Sequence, residues 1–98
     1  MRVVFTRHSR SQLRSIQRYI AEQAGAAIAR RFVLGIVDHC MSLDRFPDRG
    51  APREELRSGL RLLTFRQRVT IAYAVDGEDV RIVGIFYGGQ AIADMLDD

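Results

Sequence analysis

The stretch from Gly59 to Gly89, GLRLLTFRQRVTIAYAVDGEDVRIVGIFYGG, constrains the chain more than any other, because it holds three β-prone runs in succession with no helical periodicity between them. Asp76-Gly77 is a hairpin turn pair, since glycine accepts the positive φ that a primed turn demands and both flanks are rich in β-branched and aromatic residues. In the arm before it, Val69, Ile71, Tyr73 and Val75 alternate with Thr70, Ala72 and Ala74, which makes one face bulky and the other small. The bulky face is expected to meet helices. The small face is then either open to a groove or covered by another element.

Upstream, Arg2 to Thr6 is a short β-prone run that predicts a first strand, at an edge or paired with the later sheet. Thr6 or Ser9 then caps a helix: Ser9 and Gln12 have capping-box spacing, and Leu13, Ile16, Ile20 and Ala24 recur on one face. Arg7, Arg10, Arg14 and Arg18 fall on a separate stripe of that helix, which is either a solvated face or a contact for an acidic partner. Gly25 ends it, and Ile28, Phe32, Val33, Ile36, Val37, Cys40 and Leu43 give a second helix the broader apolar stripe. That second helix is the expected core helix.

The run Phe46 to Pro52, FPDRGAP, is dense in turn formers and closes the helical half. Past Tyr87, Gly88-Gly89 frees the backbone, and Ile92, Met95 and Leu96 have the spacing of a short amphipathic terminal helix. The fold class is therefore α+β. A helical hairpin is expected on one face of an antiparallel sheet, in the order strand, helix, helix, strand, strand, strand, with a short C-terminal helix, as one domain over residues 1–98. In the last strand Val80, Ile82 and Phe86 are expected to point one way and Val83 and Ile85 the other. One helical hairpin covers one face, so apolar sheet surface is expected to stay exposed as a partner site.

Composition excludes several classes. With 47% hydrophobic and 28% charged residues the chain is neither a disordered tail nor a membrane span, and no apolar run nears the roughly 20 residues a bilayer helix needs. Residues 1–7 lack a signal-peptide apolar region, and a single cysteine, Cys40, has no internal disulfide partner, so a cytoplasmic location is expected. All 15 basic residues are arginine, a usage that reflects either a GC-rich genome or a partner bearing carboxylates or phosphates. A net charge of +3 is modest for a dedicated duplex-DNA binder, and none is expected here. Neither His8 nor His39 has companions at ligand spacing, and Gly88-Gly89 lacks the third glycine of a dinucleotide site, so no metal and no cofactor are expected.

Taken in order, LRSIQRYIAEQ in the first helix, LDRFPDRGAPREELRSGLRLL leading into the sheet, RVTIAYAV and VRIVGIFYGGQ resemble the ParE/RelE toxin superfamily of bacterial type II toxin-antitoxin modules over nearly the whole chain. The resemblance implies a growth-inhibiting toxin silenced by a ParD-like, DNA-binding antitoxin whose extended tail wraps the toxin's grooves. Two branches differ in target: ParE-like members poison DNA gyrase, and RelE-like members cleave mRNA on the ribosome. Cleavage needs a base, an acid and cations on the phosphorus. RelE-like enzymes typically carry an arginine three residues before the middle-strand tyrosine, where Thr70 precedes Tyr73, and a basic residue past the last strand, where Gly88, Gly89 and Gln90 stand. The ParE-like reading follows, with target-binding residues Arg61, Arg66, Arg68, Tyr87, Gln90, Ile92, Met95 and Leu96. Antitoxin contacts are expected at Arg7, Arg10, Arg14, Arg18, Val83 and Ile85. The alternatives are a RelE-type nuclease using Arg61, Arg68 and Tyr87, and an inactive chain that only binds antitoxin.

Overall fold

Thr6 marks the point where a strand becomes a helix. In the computed structural model, which describes residues 1–88, its Oγ1 accepts the Ser9 backbone N–H at 3.1 Å and so satisfies one donor left free at a helix start. Strand β1 (Arg2–Phe5) precedes it and helix α1 (Arg7–Ala24) follows. Thr6 is thus the cap, and the Ser9–Gln12 box does not form. Ser9 is buried and donates its hydroxyl to the Thr6 carbonyl, while Gln12 reaches to the sheet. Helix α2 (Ala26–Met41) starts directly after Gly25. Leu13, Ile16 and Ile20 are buried as their spacing predicts, whereas Ala24 and Ile28 flank the Gly25 corner and are exposed.

After a 3-10 turn at Ser42–Asp44 come β2 (Ala51–Pro52), β3 (Leu60–Phe65), β4 (Val69–Asp76) and β5 (Asp79–Tyr87). They form one sheet in the order β1-β5-β4-β3-β2, with β3, β4 and β5 antiparallel as expected. The sheet is nonetheless mixed, because β1 lies parallel to β5. A bidentate Arg2–Asp79 pair at 3.1 Å clips their ends together. Asp76 pairs with Asp79, so the hairpin loop is Gly77-Glu78, one residue later than expected, with Gly77 at φ 62°. The terminal residues 89–98, including the expected short helix, lie outside the described residues.

A β-bulge reorders the last strand. Ala72 pairs with Gly84 and Tyr73 with Ile82, which leaves Val83 as the extra residue in β5. Strict alternation therefore fails there. Val80, Ile82 and Ile85 join the helix-facing core with Tyr87 packed against it, and Phe86 turns to the opposite face beside Val83. The small face is covered, not open. The Phe86 ring lies against Gly84, where an added Cβ would stand 2.6 Å from the ring, and Leu60, Ala72 and Phe86 are buried with Leu56 and Leu62 packed on them. Among the described residues the large exposed apolar side chains sit mainly on helices and loops, at Tyr19, Ile28, Leu34, Met41 and Phe46, and on the sheet Val75, expected to meet the helices, is instead 43% exposed beside the β4–β5 hairpin loop.

Tyr73 ties the helical half to the sheet. Its buried hydroxyl donates to the Pro47 carbonyl and accepts the Gly50 N–H, both at 2.7 Å. Arg61, opposite Tyr73 in β3, donates to the Gly50 carbonyl at 2.6 Å and the Asp48 carbonyl at 3.0 Å, and faces the Asp48 carboxylate at 3.6 Å. The turn-rich FPDRG loop is thereby fixed at several backbone points. Tyr73→Phe leaves the Gly50 N–H and Pro47 carbonyl without this partner, and is expected to cost about 1–3 kcal/mol, or about 4–8 °C in melting temperature per kcal/mol. An unchanged melting curve would show that the hydroxyl is not the tie.

Candidate functional site

The β3–β4 turn is the most strained backbone among the described residues. Arg66 (φ 51°) and Gln67 (φ 58°) both occupy the left-handed region that non-glycine residues avoid, and Arg68 N–H closes the turn on the Phe65 carbonyl at 3.1 Å. Such positions cost about 1–3 kcal/mol each and persist where surroundings over-determine them. Here Phe65 provides an anchor: its ring packs against Phe32 and His39, and the Arg66 guanidinium lies 5.1 Å above it. Arg66 and Arg68 both project into solvent.

Tyr87 stands at the same end of the sheet, since it pairs with Val69, which pairs with Phe65. The Gly88 N–H donates to the Arg68 carbonyl at 2.8 Å, so the chain leaves β5 beside the turn. An aromatic row crosses this end from α1 to β3: Tyr19 to Tyr87 at 5.8 Å, Tyr87 to Phe32 at 6.0 Å and Phe32 to Phe65 at 5.8 Å. Between α1 and β5 an open groove of about 340 Å³ is lined by Ser11, Gln12, Ser15, Tyr19, Ile85 and Tyr87 over an Ile16 floor.

The structure therefore brings together Arg66, Arg68 and Tyr87. It does not bring Arg61 to them. Arg61 lies four positions before Phe65 in β3, about 13 Å along a strand, with its guanidinium engaged by the FPDRG loop. Its loop role was missed because nothing in the sequence marks a partner for it. Gln90, Ile92, Met95 and Leu96 lie outside the described residues. Of the antitoxin set, Val83 is half-buried on the far face and Ile85 is buried beneath the groove, so they do not form one exposed patch with the arginines. Tyr19, Ser11, Ser15 and Gln12 were also missed. An exposed aromatic on an otherwise polar helix face was the available signal, and Tyr19 is 52% exposed.

The arginine stripe is real and unneutralised. Arg7, Arg10, Arg14 and Arg18 are all exposed, and none takes part in an ion pair among the described residues. Helix α1 has no acidic residue in its first turn, so Arg7 and Arg10 sit against the positive end of the helix dipole. Arg10–Arg14 and Arg14–Arg18 add like-charge contacts at i, i+4 spacing, each unfavourable by about 0.2–0.5 kcal/mol. Stability alone does not select this pattern. Cys40 offers no nucleophile, because burial pushes its thiol up to about 12. Burial first, and then the Arg49 guanidinium, hold His39 below its ordinary value, partly offset by the Thr64 backbone.

This geometry, two helices on a five-stranded mixed sheet with a cationic turn and an aromatic row at one end, defines a small α+β domain. The family model for the ParE toxin of the type II toxin-antitoxin system, parDE, matches residues 3–92, and the chain belongs to that family. A solved chain described as the chromosomal ParDE TA system from P. aeruginosa superposes with a TM-score of 0.80 at 25% identity, covering 90% of this chain and 96% of that one. No curated protein matches the sequence.

Two outcomes follow for this region. Gln67→Gly relieves the left-handed strain and is expected to raise stability by up to about 1 kcal/mol, read as a higher denaturant midpoint; a lower midpoint would contradict the turn geometry. For His39, the folded chain prefers the neutral ring, so its contribution is fully present above the unfolded-state value near 6.5 and is lost as pH falls from there through the lower folded-state value. His39→Gln should flatten the stability slope in that window. An identical slope in the variant would remove His39 as its source.

Proposed function

We propose that this ParE-family toxin inhibits DNA gyrase through the turn end of its sheet, with Arg66, Arg68 and Tyr87 as the contact residues, and that a cognate antitoxin silences it by covering the α1 side. The observation that carries the target reading is the exposed Arg66–Arg68 turn, held in a costly conformation next to Tyr87 and Tyr19. Arginine donors on a rigid turn suit the carboxylates or phosphates of a large nucleoprotein target. The RelE-type set is disfavoured, since Arg61 is engaged elsewhere and Thr70 takes the position of the expected cation. For the antitoxin, the unneutralised arginine stripe supports an acidic partner whose charges would offset the repulsion along α1. Among the described residues no helix is long and apolar enough to cross a membrane, which is compatible with action in the cytoplasm.

The test is a supercoiling assay with purified gyrase, run beside an mRNA cleavage assay on translating ribosomes. Inhibited supercoiling that is restored by stoichiometric antitoxin, with mRNA left intact, is the expected result. Cleaved ribosome-bound mRNA and unaffected gyrase would replace this reading with the nuclease. Neither effect, with tight antitoxin binding, would leave a binding partner without toxic activity.

A further inference from the structure

Helix α2 carries apolar side chains on both of its sides. Toward the sheet it buries Ala29, Ile36 and Cys40 and packs Phe32, Val33 and Val37 on the core, yet on its outer side Leu34 and Met41 are 52% and 45% exposed. A helix that is apolar all round is normally covered on both faces. The outer face also has an internal symmetry about Leu34. Ala27 and Met41 stand seven residues to either side of it, Arg30 and Asp38 stand four to either side, and all are exposed. Offsets of four and seven keep these side chains on one stripe. Arg31 is exposed beside Arg30, and Asp38 is the only carboxylate in α2. None of the three charged groups takes part in an ion pair among the described residues.

We propose that this outer face of α2 is a self-association surface, on which a second copy of the chain docks antiparallel about a two-fold axis at Leu34. A two-fold contact must be complementary to itself, and this face is. Antiparallel docking sets Leu34 on Leu34 at the axis and brings Asp38 of each copy to the Arg30–Arg31 pair of the other, about 6 Å along the helix from the centre. It also sets the small Ala27 opposite the long Met41, so the backbones can approach at both ends of the contact. Parallel docking would put arginine on arginine and Asp38 on Asp38. A wholly acidic partner would suit Arg30 and Arg31 but repel Asp38, so the order of charges selects this same chain as the occupant. Exposed ion pairs contribute at most about 1 kcal/mol each, so the charges fix direction and register while Leu34 and Met41 supply the affinity. One 16-residue helix is about 24 Å long and offers less than the roughly 800 Å² per partner of a standard interface, so the dimer is weak, with a dissociation constant on the order of 10–100 µM. Arg66 and Arg68 stand at the turn end of the sheet and not on this face, so the proposal does not rest on the gyrase or the antitoxin reading.

The test is sedimentation equilibrium of the full-length toxin without antitoxin, across concentrations that bracket about 10–100 µM. Dimer should accumulate with concentration. Asp38→Arg makes the face wholly basic, and Arg30→Glu with Arg31→Glu makes it wholly acidic. Each of these proteins, checked for the parent's circular dichroism spectrum, should dimerise at least tenfold more weakly than the parent, and an equimolar mixture of the two should restore dimer. Leu34→Cys should give a disulfide-linked dimer under oxidised glutathione, because the two thiols meet at the axis, while Gln17→Cys at an exposed position of α1 should not. Cys40 is fully buried and does not compete. A toxin that stays monomeric throughout, a dimer indifferent to both charge changes, or a mixture that fails to restore it overturns the proposal. If the parent is monomeric and Asp38→Arg instead weakens antitoxin binding, the face belongs to the antitoxin and self-association is again overturned.

Discussion

The buried hydroxyl of Tyr73 is the interaction on which the two halves of this toxin depend. Helix α2 and the sheet are joined by a loop whose own sequence, FPDRG, has turn chemistry but little apolar content to hold it in place. One tyrosine oxygen, donating to Pro47 and accepting from Gly50, converts that loop from a tether into a fixed corner, and Arg61 secures it from β3. A buried phenol without partners would be costly, so the corner and the tyrosine require each other. Burial raises the Tyr73 phenol above its ordinary value, opposed in part by the hydrogen bond it accepts from the Gly50 N–H and by Arg61. It stays a neutral donor at physiological pH.

The bulge at Val83 then decides what each face of the sheet does. By adding one residue it places Ile85 and Tyr87 under the helices and lays Phe86 over Gly84 and Ala72 on the far side. A regular strand would have put Phe86 into the helical core and Ile85 on the far face. The same shift aims the Ile85 N–H at α1, where Gln12 meets it. Core packing on one face and the buried Leu60, Ala72 and Phe86 patch on the other both depend on a single inserted residue.

Much of this was legible in the residues. Two periods, 3.6 in the first half and 2 in the second, mark the helical hairpin and the meander, and Val69, Ile71 and Tyr73 face the helices as their alternation implies. What was not legible depends on partners distant in sequence. Nothing local marks Val83 as a bulge, and a turn with positive φ at both Arg66 and Gln67 lacks the Asn-Gly or Asp-Gly signal that reveals such turns. Arg61 looked like Arg66 and Arg68 in sequence because all three flank strands. Only the fold shows that one reaches inward to the Asp48 and Gly50 carbonyls and the others reach out. Parallel pairing of β1 was open for a related reason, since a short strand carries no mark of direction.

We propose a division of labour between the two ends of the sheet: the Tyr73–Arg61 end holds the fold, and the Arg66–Arg68 end meets the target. Arg61→Met and Arg68→Met remove the same charge from a half-buried and an exposed position, so their contrast isolates location from chemistry. The direct measurement is thermal stability of each purified variant beside growth arrest on induced expression without antitoxin. The account predicts a melting temperature several degrees lower for Arg61→Met, from about 1–3 kcal/mol of lost and unpaired hydrogen bonds, and an Arg68→Met protein as stable as the parent that no longer arrests growth. An Arg68→Met toxin that arrests growth fully, or an Arg61→Met toxin that is undiminished in stability yet harmless, would contradict it.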